Sequence, residues 1–199
     1  MKKAISTIGA AFLLLLSSQG GEAGQITGKV KGKWIEKYQA VVFVQGVPGK
    51  RAELHAERPV MHQKDKTFIP RLLPVVVGTT VEFKSSDPFK HNIFSPDGER
   101  YNLGTWIGEK GKSYSFKRPG IYRQLCNIHP EMLAYIVVLE TPYFALTDRD
   151  GNFEIGSIPS GNYLLRVWGE KLTKEQLTRT FEVKVEQEAS VSIAVDLIQ

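Results

Sequence analysis

The chain has 199 residues, 26 Lys+Arg against 21 Asp+Glu, and a single cysteine. At 42% hydrophobic and 24% charged it has the composition of an ordinary globular protein, long enough to bury one or two cores without covalent stapling. The lone Cys126 excludes a disulfide framework and every metal site needing two thiolates from one chain, such as zinc ribbons, iron–sulfur clusters and dinuclear copper centres. The net charge of +5 is spread without a Lys/Arg block, which argues against a nucleic-acid partner.

The chain opens with Met1-Lys2-Lys3, an apolar run from Ala10 to Leu16, and small and polar residues from Ser17 to Ala23. This order predicts a signal peptide over residues 1–23, removed after Ala23; the apolar run falls short of the roughly 20 residues a membrane span requires. A periplasmic or secreted protein with no stable membrane span is therefore expected. The remainder reads as β throughout. Strands are predicted at Gln25–Val30 and Ala40–Val44, then through Pro74–Phe83 with a turn at Gly78. Further strands follow at Ser113–Phe116, Gly120–Cys126, Leu133–Leu139, Tyr143–Leu146, Phe153–Ile155, Tyr163–Trp168, Thr180–Val185 and Ser190–Leu197. Frequent turn signals between short strands argue for sandwiches or barrels. Only Lys171–Leu177 has a helical pattern.

The chemistry concentrates in Cys126-Asn127-Ile128-His129-Pro130-Glu131-Met132, where a thiol, an imidazole and a thioether fall within seven residues. His91 lies upstream, in Asp87-Pro88-Phe89-Lys90-His91-Asn92, after the strand ending at Phe83. Two imidazoles, a thiolate and a weak axial thioether make up the ligand set of trigonal blue-copper sites. Each residue alone has a plainer reading: a buried thiol is a small hydrophobe, and a methionine is core. Cys126 and His129 as nucleophile and base is the weaker chemical reading, since two residues on one tight loop suit chelation and no oxyanion or acidic partner accompanies them. No enzyme is expected. His55 and His62 read as solvated, and Trp34, Trp106 and Trp168 as packing.

On these motifs residues 59–140 resemble the cupredoxin family of type 1 blue copper proteins, with the C-x2-H-x2-M loop most like amicyanin. The resemblance implies one copper ion per chain, held by His91, Cys126, His129 and Met132. It implies that Asn92 directs its amide at the thiolate while its side chain ties the two ligand loops together. Ile128 stands where relatives often have proline and retains an N–H, so a further bond to the sulfur, raising the reduction potential, is expected. Pro130 directly follows the downstream His. Gln124 shares a strand face with Cys126 where an apolar residue is usual.

A second resemblance covers Thr147-Asp148-Arg149-Asp150-Gly151-Asn152-Phe153 and Ile158-Pro159-Ser160-Gly161-Asn162-Tyr163, which are similar to the carboxypeptidase regulatory-like, transthyretin-related sandwich. Its usual opening strands resemble Gly28–Val30 and Ala40–Val44. The expected fold class is all-β: a cupredoxin Greek-key sandwich (59–140) inserted in a prealbumin-like sandwich split between 24–58 and 141–199. The rival makes 24–58 an extension of the cupredoxin. The expected function is a monomeric one-electron carrier between redox proteins, with a dehydrogenase and a c-type cytochrome implied by the amicyanin likeness. His129 would be the electron port within an apolar patch of Pro88, Phe89, Ile128 and Pro130, and Lys90 would guide an acidic partner. Copper capture without electron transfer, and a metal-free envelope β protein, remain the alternatives.

Overall fold

A computed structural model describes residues 23–46, 57–186 and 190–197. The expected signal segment up to residue 22, and His55, lie outside these residues. The first strands are β1 (Gly24–Lys31) and β2 (Val41–Gln45). Next come β3 (Val60–Lys64), β4 (Thr67–Ile69), β5 (Leu72–Val76), β6 (Thr80–Ser85), β7 (His91–Ser95), β8 (Tyr101–Trp106), β9 (Lys112–Ser115), β10 (Gly120–Leu125) and β11 (Leu133–Leu139). The chain continues with β12 (Phe144–Leu146), β13 (Asn152–Ile158), β14 (Gly161–Trp168), helix α1 (Lys174–Thr178), β15 (Phe181–Val185) and β16 (Ser190–Asp196).

These strands form four sheets: β13-β1-β16, β12-β2-β14-β15, β5-β11-β10-β7-β8 and β4-β3-β6-β9. The fold is all-β, as the alternation of apolar and polar residues predicts. In β6 the burial alternates strictly, with Val81, Phe83 and Ser85 inward, the pattern of a sheet with one face on a core. The sheets containing β3 and β11 enclose one core, in which Met61, Phe68, Phe83, Ile93, Tyr122 and Ile136 are buried. The sheets containing β1 and β2 enclose another, around Ile26, Val42, Val44, Phe153, Leu165 and Val183. Strand β2 pairs with β12 and β14, with Val42 opposite both Ala145 and Val167. Strand β1 pairs with β13 and, in parallel, with β16. The sheets of this outer sandwich thus draw on strands from both sides of β3–β11 in sequence.

Strand β11 is apolar almost without interruption, and the reason is burial on both faces. Ala134, Ile136 and Val138 point into the inner core, while Val137 and Leu139 join Val41 and Leu72 in a separate cluster between the sandwiches. The four sheets therefore stack as four layers, and the ring of Tyr135 meets that of Trp168 at a centroid distance of 4.9 Å across the middle junction.

Strand β7, short and buried at four of its five positions without alternation, was not predicted, and neither were β3, β4 and β8. The last three carry polar or half-exposed residues at most positions, as in the burial pattern of Tyr101–Trp106, so their hydrophobic alternation is weak and neighbouring strands supply the order. The helix begins at Lys174, three residues later than expected. Its start is fixed by a capping box: the Thr173 hydroxyl accepts the Gln176 amide at 3.2 Å, and the Gln176 side chain accepts the Thr173 amide at 2.8 Å, so Lys171 and Leu172 stay outside.

Candidate metal centre

Strand pairing brings three of the sequence-predicted site residues, His91, Cys126 and His129, together. His91 opens β7, and Cys126 follows directly on β10; the two strands are antiparallel neighbours, with Leu125 opposite Phe94. The seven-residue loop returns to β11, where Leu133 pairs with Leu125, and it is closed by the Met132 amide donating to the His129 carbonyl at 3.0 Å. One donor atom each from His91, Cys126 and His129 lie within 4.8 Å of one another. Cys126 Sγ is 3.8 Å from His129 Nδ1, and the two imidazole centroids are 4.9 Å apart. His91, Cys126 and Met132 are buried; His129 is half-buried.

Asp87 determines how His91 presents itself. The Asp87 carboxylate is buried and accepts from His91 Nε2 at 2.7 Å, the Asp65 amide at 2.8 Å and the Lys66 amide at 3.3 Å. Burial works to raise this carboxyl, but the Asp65 amide, the His91 ring and the Lys66 amide outweigh it and hold it below its ordinary value. An ionised carboxylate only accepts hydrogen bonds, so Nε2 donates to Asp87, and in the neutral ring the lone pair falls on Nδ1. That Nδ1 is buried without a hydrogen-bond partner. An orphaned buried nitrogen is costly by itself, and here it belongs to a residue whose donor set includes a thiol and a second imidazole. The chain's donors fit a soft, borderline transition metal.

Asn92 holds the site's two segments. Its amide donates to Cys126 Sγ at 3.5 Å. Its side-chain oxygen accepts the Asn127 amide at 3.4 Å, and its side-chain nitrogen donates to Asn102 Oδ1 at 2.9 Å and to the Gly104 carbonyl at 3.0 Å. Gln124, the polar residue on the inward face, is fully buried and satisfied: it accepts from the Tyr101 hydroxyl and donates to the Tyr122 carbonyl at 3.0 Å.

Phe89 lies against both imidazoles, 5.2 Å from the His91 ring and 5.5 Å from that of His129. Ile128 is 43% exposed; Pro130, two residues further on, is exposed, as are Pro88 and Lys90 on either side of Phe89. His62 is half-buried in β3, and the donor grouping does not include it. Sequence reasoning assigned no role to Asp87. Its four-residue spacing before His91 was the available signal, but the amides that make it a buried acceptor come from the β3–β4 turn.

No family model matches the chain, and no curated protein matches it either. Among solved structures it is similar to a copper-containing nitrite reductase from Thermus scotoductus SA-01, with 27% identity over 49% of this chain and a TM-score of 0.41. The match spans 25% of that enzyme's length. It is also similar to amicyanin from Paracoccus versutus, with 18% identity over 49% of this chain and 97% of that one, at a TM-score of 0.40. A purple cupredoxin from Nitrosopumilus maritimus matches 41% of this chain over 99% of its own, with 22% identity and a TM-score of 0.38.

Proposed function

We propose that this chain is an exported, cupredoxin-type blue copper protein that carries single electrons between larger redox proteins. The observation that carries the reading is the convergence of His91, Cys126 and His129 donors within 4.8 Å, one of them a buried imidazole nitrogen with no other partner. His91, Cys126 and His129 would hold the ion, and the thioether of Met132, buried at the end of the same loop, would serve as a weaker fourth donor. Copper so bound supplies a one-electron couple. The protein's own residues do the rest: Asp87 fixes the His91 tautomer, the Asn92 amide hydrogen-bonds the sulfur, and the Asn92–Asn127 bond keeps the two ligand segments at one separation. That rigidity keeps the donor positions the same in both oxidation states.

The half-exposed edge of His129 would pass the electron. Phe89 packs against its ring at 5.5 Å, Ile128 and Pro130 flank it in the chain and Pro88 precedes Phe89, an apolar set suited to weak and transient docking, and Lys66 Nζ lies 5.8 Å from the Phe89 ring. Together with Lys90 it favours an acidic partner. The partners proposed are those the amicyanin resemblance implies, a dehydrogenase as donor and a c-type cytochrome as acceptor. The outer sandwich, of the carboxypeptidase regulatory-like type, serves as a scaffold, and the chain catalyses no reaction of its own.

The test is an absorption spectrum of the purified protein during addition of Cu(II). An intense visible thiolate-to-copper band at one equivalent, reversibly bleached by reductant and absent in Cys126→Ser, is expected. A colourless protein that binds only Cu(I) would establish copper capture instead. No copper binding at all would refute both readings.

A further inference from the structure

The far end of the ligand loop is gripped by an arginine that is itself held from the other sandwich. Arg71, the residue before β5, donates from Nη1 to the Leu133 carbonyl at 3.1 Å, and Leu133 directly follows Met132. The Arg71 carbonyl in turn accepts the Tyr135 amide at 2.8 Å. One side chain and its own backbone therefore clasp the first residues of β11. The Arg71 guanidinium is held by Glu170, which follows β14 in the outer sandwich: Nε donates to Oε2 at 2.7 Å and Nη2 to Oε1 at 3.2 Å. The Glu170 side chain is only 7% exposed, and the hydrogen bond to it raises the Arg71 guanidinium above its ordinary pKa. A two-point arginine–carboxylate pair fixes orientation as well as distance, which separates it from the exposed Lys184–Glu186 pair of the same sandwich, whose side chains are 69% and 64% exposed.

We propose that Glu170 and Arg71 are positioning residues for the metal centre, through which the outer sandwich sets where the loop ends and hence how closely Met132 approaches the ion. This rests on the proposed copper site. Its chemistry follows from the axial donor's role: a thioether held nearer the ion favours the oxidised state, and one allowed to withdraw favours the reduced state. Lysine in place of Arg71 keeps the charge but lacks the geometry to bond Glu170 twice and Leu133 at once.

The experiment compares wild type, Arg71→Lys, Glu170→Ala and, as a control, Lys184→Gln, each as the full chain and first checked for folding by circular dichroism. In the metal-free proteins, amide exchange at Leu133–Tyr135 is expected to quicken roughly tenfold in the first two variants, with the rest of β11 little changed and the control unchanged. In the copper-loaded proteins the same two variants are expected to show a higher reduction potential and an altered ratio of visible thiolate bands. Unchanged exchange overturns the proposal. Faster exchange with wild-type potential and spectrum also overturns it, since the clasp would then be merely structural. If wild type takes up no copper, the proposed function fails, and the exchange measurement alone decides whether Glu170 positions the end of the loop.

Discussion

Asn92 is 3% exposed and bonds to Asn102, Gly104 and Asn127 through its side chain. Asn92→Ala would remove all three side-chain bonds, and because Asn102, Gly104 and Asn127 are themselves exposed water replaces part of what is lost, so a cost of about 1 kcal/mol is expected, measurable by urea unfolding of the metal-free protein. Further from the site, the Asp97 carboxylate takes two bonds from the Arg123 side chain and one from its amide. The Arg123 guanidinium holds the Asp97 carboxyl below its ordinary value, against the opposing effect of burial. A carboxyl depressed by folding stabilises the native state above its unfolded pKa, and that contribution is lost as pH falls through the lower folded value. Asp97→Asn should therefore cost roughly 1 kcal/mol at pH 7, given a partly exposed pair, and nothing at a pH below both values. Comparing denaturation of the two proteins at neutral and strongly acidic pH checks the sign. At this scale the convergence of His91, Cys126 and His129 was legible because thiols and imidazoles are scarce in this chain. Asp87 was not, because what makes it matter is two amides from a turn more than twenty residues away.

At the scale of elements, the strands that alternate strongly or are buried on both faces were readable: β1, β2, β6, β10, β11 and β14. Strands β3 and β8 were not, because their residues owe burial to neighbouring strands and carry little periodicity of their own. Position 28 shows what pairing demands of a residue. Strands β1 and β16 run in parallel with Gly28 opposite Ile193, and a Cβ at Gly28 would come within 2.4 Å of the Ile193 carbonyl oxygen and 2.6 Å of the Phe153 ring. The backbone obstacle cannot swing aside, so Gly28→Ala should destabilise the protein by about 1–3 kcal/mol. A fall in the thermal midpoint, absent in an alanine variant at the open position Gly156, would be the sign.

For the whole molecule, the middle junction decides whether the two sandwiches unfold as one. Leu139 is 6% exposed and packs with Val41, Leu72 and Val137. Leu139→Ala should cost about 2–4 kcal/mol and separate the transitions of the two cores, so that tyrosine and tryptophan signals cease to coincide along a denaturant titration. The double burial of β11 was visible as an apolar run. That its second face covers another sandwich was not, because a strand's sequence records that a face is dry without recording what dries it.

The parallel pairing of β1 with β16 has a bearing on how the chain reaches this structure. The Gln25–Ser190 side-chain bond joins residues 165 positions apart, whereas every strand of the inner sandwich lies between residues 60 and 139. Closing the larger loop costs more entropy and waits for the last strand to exist. The inner sandwich can therefore assemble while β1 and β2 are still unpaired, and its completed β11 face offers β2 a template before the final strands arrive. The molecule is ordered from the centre outward in time, and the strands that precede the inner sandwich in the chain are among the last to find their places.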